Sequence, residues 1–260
     1  MNDIEVKTMS EFLSEGKEPD FLFWVGSAGS FDDRAKKITK AFVKILNVAN
    51  ISFGVLGTEE SSSGDVAKRA GNEFLFQMQA LSNIEILNGY NVKNILTTCP
   101  HSFNTFKNEY ASLGGKFNVR HHSEFIIYLI KEKKISLSNN IKGKRITYHD
   151  PCYLGRANNI YSEPREVIKS LGVNMVEMKR SKRKSFCCGA GGAQMFKEPE
   201  KGFQDININR TEEALSLNPD IIATGCPFCN TMMTDGVKSV DEGSASVMDI
   251  AELIAENLLC

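Results

Sequence analysis

Residues 186–192 read FCCGAGG and residues 224–229 read TGCPFC. With Cys152 upstream they form a spaced set, in which 34 residues separate Cys152 from Cys187 and 36 separate Gly189 from Cys226. The same ladder stands about 125 residues earlier with oxygen in place of sulfur. Ser27 precedes Ser62-Ser63-Gly64 by 34 residues, and another 34 lead from Gly64 to Cys99-Pro100-His101-Ser102. The surroundings repeat as well: Asn94-Ile95-Leu96-Thr97 runs into Cys99-Pro100 as Asp220-Ile221-Ile222-Ala223 runs into Cys226-Pro227. Self-similarity at a fixed offset is the mark of a duplicated supersecondary unit. One copy keeps five thiols and the other keeps one.

Short apolar segments alternate with longer periodic ones, the pattern of βα units on a mostly parallel sheet. Residues 21–25, 52–56, 94–98, 145–149, 174–177 and 220–224 read as strands. Helices are expected over 31–48, 66–87, 123–131, 165–171, 210–217 and 248–259. In the first of these Ala35, Ile38, Phe42 and Ile45 recur at helical spacing, and Asp32 and Asp33 suit its positive end. The fold class is therefore α/β: two similar halves related by the repeat, with mostly parallel sheets flanked by helices. The first half is placed at 1–136 and the second at 144–260, joined through the turn formers Ser138, Asn139 and Asn140. On this reading Ser27, Cys99, Cys152 and Cys226 all follow a strand's C-terminal end, where open α/β sheets gather their ligand-binding loops.

Composition narrows the function. A net charge of −1 gives no global electrostatic case for nucleic acid or an anionic membrane surface. No apolar run reaches a membrane span, and residues 1–12 lack a basic start followed by an apolar stretch. Seven cysteines, two of them adjacent, suit a reducing compartment, so a cytoplasmic protein is expected.

Five thiolates on three loops exceed the needs of one tetrahedral zinc, and soft sulfur selects zinc, copper(I) or iron with sulfide. Adjacent side chains such as Cys187 and Cys188 rarely bind one small ion together but readily serve different irons of a cluster. The glycines at 189, 191 and 192 let the backbone approach inorganic sulfide and offer it N–H donors. Two other readings of the residues stay open. Four of the thiols can close a zinc site in a structural or interaction module, and Cys226 with Cys229 can form a metal-free redox pair.

The chain also resembles a known family. YHDPCYLGR (148–156), FCCGAGG (186–192), TGCPFCNTMM (224–233) and RAGNEFLFQ (69–77) are similar to the CCG-domain, cysteine-rich iron-sulfur proteins. These include the B-type subunit of heterodisulfide reductases and the iron-sulfur subunits of glycolate, lactate and glycerol-3-phosphate oxidising complexes. The resemblance covers about residues 21–253 and implies two CCG-type half-domains. It implies an iron-sulfur cluster of the [4Fe-4S] class, noncubane in some relatives, with Cys152, Cys187, Cys188, Cys226 and Cys229 as ligands. It further implies an electron-transfer subunit of an oxidoreductase complex, working with a ferredoxin-like iron-sulfur subunit or a flavoprotein and sitting at most on the periphery of a membrane complex. The first repeat departs from the pattern, since Ser27, Ser62, Ser63 and Ser102 stand where the family has cysteines. Serine oxygen is a poor ligand for iron-sulfide, so one cluster is expected rather than two.

The remaining features are weaker. No GxGxxG follows a strand, so no NAD or FAD site is expected. Lys179, Arg180, Lys182, Arg183 and Lys184 form a basic run before the CCG loop, read as a solvated loop or as a rim for an acidic electron carrier. His149 and Asp150 lie close enough to Cys152 to support its surroundings. Cys99 with His101, His121 or His122 offers a thin set for zinc, against the plainer reading that Cys99 is a buried apolar residue and the histidine pair ends a strand. No residue is assigned a catalytic role. Cys260 has no partner in the repeat and is left out of the site.

Overall fold

The computed structural model describes residues 6–198 and 202–259; Cys260 lies outside them. Its strands are β1 Phe21–Trp24, β2 Phe53–Gly54, β3 Asn94–Thr97, β4 Asn118–His121, β5 Arg145–Tyr148, β6 Asn174–Val176, β7 Ile221–Thr224 and β8 Ser246–Asp249. They form two four-stranded sheets in the orders β2-β1-β3-β4 and β6-β5-β7-β8. Every pairing is parallel, from Leu22 opposite Ile95 in the first sheet to Ile146 opposite Ile221 in the second. The two orders are the same permutation, so the sequence repeat is also a repeat of topology. Parallel strands need crossovers, and flanking helices supply them and cover the apolar faces.

The edge strands β4 and β8 are additions to the expected set. Each is short and ends in a polar residue that also caps the next helix, which hides the strand from a hydrophobicity pattern. His121 ends β4 and caps helix His122–Lys131, with Glu124 Oε2 accepting the His121 amide at 3.0 Å. Asp249 ends β8 and caps helix Ile250–Glu256, its Oδ1 accepting the Ala251 amide while Glu252 Oε2 accepts its own, both at 2.9 Å. The same capping box thus closes the same strand in both repeats.

The helix expected over 31–48 is found at Asp33–Val48 behind a short extra helix, and the one expected over 66–87 is broken in two. Helix Asp33–Val48 starts afresh after Gly26–Phe31 because Asp32 is extended and its carboxylate accepts the Ala35 amide at 2.7 Å. Asp65–Arg69 and Glu73–Gly89 part at Gly71, whose φ of +86° no continuing helix adopts. Helix Pro227–Val240, absent from the expected set, begins with proline at its first position, where a missing N–H costs nothing.

The halves share one core. Ile38, Phe42, Ile45 and Leu46 of helix Asp33–Val48 pack in a single cluster with Leu253 and Ile254 of helix Ile250–Glu256, joined by Phe125 and Ile168. At about 2 kcal/mol per large apolar side chain buried, this seam holds the repeats in one fixed orientation. Polar contacts cross it too: Arg34 makes a bidentate pair with Glu252 at 2.7 Å, and Lys44 donates to the Ala255 carbonyl at 2.8 Å. The seam brings the C-terminal edges of the two sheets, and so both motifs, to one place.

Candidate metal centre

Three segments of the second repeat carry the thiols together. Cys152 sits in the turns after β5, and Cys187 and Cys188 lie in the loop that follows the turn Lys182–Lys184. Cys226 is the cap residue of helix Pro227–Val240, which sets Cys229 one turn along. Gly189 has φ +93°, and its amide donates to Cys187 Sγ at 3.3 Å. Cys188 Sγ and Cys229 Sγ are 3.3 Å apart, well beyond a disulfide of about 2.05 Å, and both cysteines are free. Cys188, Cys226 and Cys229 are buried, whereas Cys152 and Cys187 are partly open to solvent.

Cys188 and Cys229 are hydrogen-bonded, and the titrations of Cys152, Cys187, Cys188, Cys229 and Cys226 depend on one another in a series that does not end inside the second repeat. Cys226 is also joined to Cys99 and His101 of the first. Hydrogen bonds from Cys152 and Cys188, then the Gly189 amide, hold Cys187 far below the usual thiol range against the opposing effect of burial. Burial pushes Cys226 up, yet hydrogen bonds from Cys229, Cys99 and His101 outweigh it and hold this thiol well below its ordinary value. Hydrogen bonding to Cys226 and burial push Cys99 up. Two thiols in a largely buried nest are thus biased toward the deprotonated form, and among the described residues no lysine or arginine hydrogen-bonds them. A soft, positively charged guest fits that donor set, since metal binding needs thiols already deprotonated.

Supporting residues surround the nest. Burial and then the Arg210 guanidinium pull His149 down to about 4, so its ring is neutral at physiological pH. Arg210 Nε donates to His149 Nδ1 at 3.0 Å, so the neutral ring carries its hydrogen on Nε2. His149, Cys188 and Cys229 offer ligand atoms all within 4.8 Å of one another. Asp150 plays a structural part, since it holds Arg165 with two bonds of 2.7 and 2.9 Å and accepts the Lys182 amide at 2.8 Å, anchoring the basic loop. Among the described residues, Cys99 and the other histidines form no close group of ligand atoms. His101 is bound to Asp65 at 2.8 Å, while His122 joins His121 at 3.1 Å and Asp249 at 2.9 Å across the seam.

Sequence reasoning missed Arg210, fully buried beside His149, and the joining of Cys99 to Cys226. Both contacts link residues far apart in the chain, and only the repeat hinted that Cys99 and Cys226 occupy equivalent places.

The first repeat keeps the same geometry in oxygen. The Gly64 amide donates to Ser62 Oγ at 3.1 Å, as Gly189 does to Cys187, and Gly64 has φ +85°. Ser102 Oγ lies 3.3 Å from Ser63 Oγ, as Cys229 does from Cys188. Cys99 caps a proline-led helix, Pro100–Asn104, as Cys226 does. Against known families, the model described as the CCG cysteine-rich domain matches twice, at residues 22–107 and 146–234. The chain belongs to the CCG cysteine-rich domain family. Both repeats of this CCG protein are thereby accounted for, including the one that has lost four thiols.

Among curated relatives of this CCG chain, the "Probable iron-sulfur-binding oxidoreductase FadF" of Bacillus subtilis is 47% identical over 99% of the chain. The "EtfAB:quinone oxidoreductase" of Syntrophomonas wolfei is 45% identical over 96% of it. One subunit of the dihydromethanophenazine:CoB--CoM heterodisulfide reductase of Methanosarcina barkeri is 35% identical over 92%. The CCG chain spans 36% of the length of each of the first two and 59% of the third. Among the described residues, no helix is long and apolar enough to cross a membrane.

Proposed function

We propose that this CCG protein is an iron-sulfur electron-transfer subunit of an oxidoreductase complex. One [4Fe-4S]-class cluster, of the noncubane kind in this reading, is held in the second repeat, 144–260, by Cys152, Cys187, Cys188, Cys226 and Cys229. The first repeat, 1–136, covers the cluster from across the seam. The single observation that carries the reading is the convergence of five free thiols on one largely buried nest. The names of the three relatives, all oxidoreductases or their subunits, support the redox class.

A bound cluster would supply one-electron chemistry, and the chain's residues determine where electrons enter. Cys152 and Cys187 form the open side of the nest. Beside it Lys179, Lys182, Arg183 and Lys184 are exposed, whereas Arg180 is occupied by Glu213 at 2.7 Å. Cations unpaired among the described residues, on the segment that leads into Cys187, suit an acidic face on a ferredoxin-like or flavoprotein partner. Electron transfer from such a partner slows as salt rises; a salt-independent rate removes the docking role.

Anaerobic expression with metal and sulfide analysis tests the main reading: a brown protein with about four irons and four sulfides per chain is expected. A structural zinc site is the second reading, favoured by the close group His149, Cys188 and Cys229. Colourless protein with one zinc per chain would establish it instead.

A further inference from the structure

The ends of two edge strands are tied together across the seam. His121 ends β4 opposite Thr97, two residues before Cys99, and Asp249 ends β8 opposite Thr224, two residues before Cys226. His122 links them, its Nδ1 3.1 Å from His121 Nε2 and its Nε2 2.9 Å from Asp249 Oδ1. All three side chains are fully buried. The His121 ring rests beside the turn into the nest: a Cβ added to Gly225, the residue before Cys226, would lie 3.7 Å from its Cε1 and 3.0 Å from the Tyr148 hydroxyl. At the far end Glu252 accepts the Asp249 amide at 2.9 Å and is held by the half-buried Arg34, which brings this end of the link to the surface.

A purely structural clasp would match its polar atoms, and this one leaves two bare. Asp249 Oδ1 accepts the Ala251 amide at 2.9 Å and meets His122, but Oδ2 has no partner among the described residues, nor has the Tyr148 hydroxyl. A buried neutral orphan costs about 1–3 kcal/mol and a charged one more, so this carboxyl keeps a proton that an exposed aspartate has lost. Burial pushes Asp249 up to about 8; the Ala251 amide and Arg34 oppose this, and negative charge at Cys226 adds to it. Burial pulls His122 down to about 3, with Cys226 again acting upwards. The other titratable groups packed around the pair are moved out of range or tied up. Burial drives His121 down and Tyr148 up, Glu252 is paired with Arg34 at 2.7 Å, and Glu124 caps His121. Asp249 is therefore the group here whose proton can come and go, and it answers to charge in the nest.

We propose that the His122–Asp249 pair, one residue from each repeat, takes up one proton from solvent when the centre in the thiol nest takes up one electron, and returns it on re-oxidation. The electron comes from the partner protein and the proton from water. An O–H bond forms at Asp249 on reduction and breaks on re-oxidation, so the buried region gains no net charge. His122 is a positioning residue, which holds Oδ1 and links the carboxyl to His121 beside the nest. This rests on the electron-transfer reading and adds to it a coupled proton, held outside the five-thiol set.

Spectroelectrochemical titration of the full chain, purified without oxygen and repeated from about pH 6 to about pH 9, tests the coupling. The potential should stay level on the acid side, where both redox forms keep the proton, and fall above about pH 8. One proton per electron makes each tenfold fall in proton concentration worth about 59 mV, the limiting slope. Asp249→Asn keeps a capping oxygen and a bond to His122 but cannot ionise, and should level the curve. At about pH 9 the reduced-minus-oxidised infrared spectrum of the parent should gain a protonated-carboxyl band that Asp249→Asn lacks. Should that variant fail to fold, Asp249→Ser, also a capping residue, and the parent's infrared spectrum decide the same point. A brown parent with a level potential, a curve unchanged by Asp249→Asn, or no carboxyl band would each overturn the proposal and leave the iron-sulfur reading standing. A colourless, iron-free chain would overturn that reading and the proton uptake with it.

Discussion

Ser102 Oγ stands 3.3 Å from Ser63 Oγ, the separation at which Cys229 Sγ stands from Cys188 Sγ in the other repeat. The two sites therefore differ in the donor element rather than in backbone placement. Replacing Ser27, Ser62, Ser63 and Ser102 together by cysteine, with Cys99 in place, should restore a second nest. Iron and acid-labile sulfide per chain are expected to rise to about twice the parent's values. Metal content unchanged in a folded variant would mean that the first repeat has lost more than its sulfur.

Cys187 and Cys188 separate a cluster from zinc. Either single substitution to alanine removes one member of the thiol chain and should strip most of the iron and the visible absorption. A zinc site built on His149, Cys188 and Cys229 responds differently, because Cys187 is outside that close group. Metal analysis of Cys187→Ala is decisive: retained zinc with full occupancy contradicts the cluster assignment.

Much of this was legible in the sequence because the repeat is written in spacing. The places of Cys152, Cys187, Cys188, Cys226 and Cys229 beyond strand ends follow from short apolar runs, and six of the eight strands show as such runs. The strands β4 and β8 did not, since Asn118–His121 and Ser246–Asp249 each carry few apolar residues and end in a polar residue that caps the next helix. Contacts across the seam were hidden for another reason. Cys99 with Cys226 and His122 with Asp249 are pairs 127 residues apart, and no local pattern encodes a pair that forms only when two halves dock.

The seam itself makes a prediction. Arg34 grips Glu252 with two bonds of 2.7 Å and also donates to the Val247 carbonyl at 2.9 Å. Arg34→Met keeps the apolar stem but leaves a largely buried carboxylate without its cation. Destabilisation of about 2 kcal/mol is expected, read as a lower urea midpoint with an unchanged slope. A variant as stable as the parent would place the strength of the seam in its apolar contacts alone.

Glu60 gives a pH dependence. Burial pushes its carboxyl up to about 7, although it accepts the Val25 and Gly26 amides at 3.0 and 2.5 Å. Its unfolded value is about 4.3, so between these two pH values the folded chain holds a proton that the unfolded chain has released. Stability linked to Glu60 is thus complete below about pH 4 and is lost as pH rises through about 7. Urea unfolding at pH 5 and pH 8 should show the parent losing more stability than Glu60→Gln, by at most about 3 kcal/mol. Equal losses in the two proteins would mean that Glu60 is ionised throughout.

Cys99 acts on the nest from the other repeat. Its thiol and His101 both help hold Cys226 below the ordinary thiol range, and a hydrogen bond to a ligating sulfur stabilises the more negative, reduced form of an iron-sulfur centre. Cys99→Ala should therefore lower the reduction potential while leaving iron content intact, because Cys99 is outside the five-thiol set. Cys99→Ser restores an O–H donor at the same place and should recover part of the loss. A spectroelectrochemical titration of the three proteins measures this directly. Iron lost in Cys99→Ala would make Cys99 a ligand instead of a positioning residue, and a potential that rises would mean that its hydrogen does not point at Cys226.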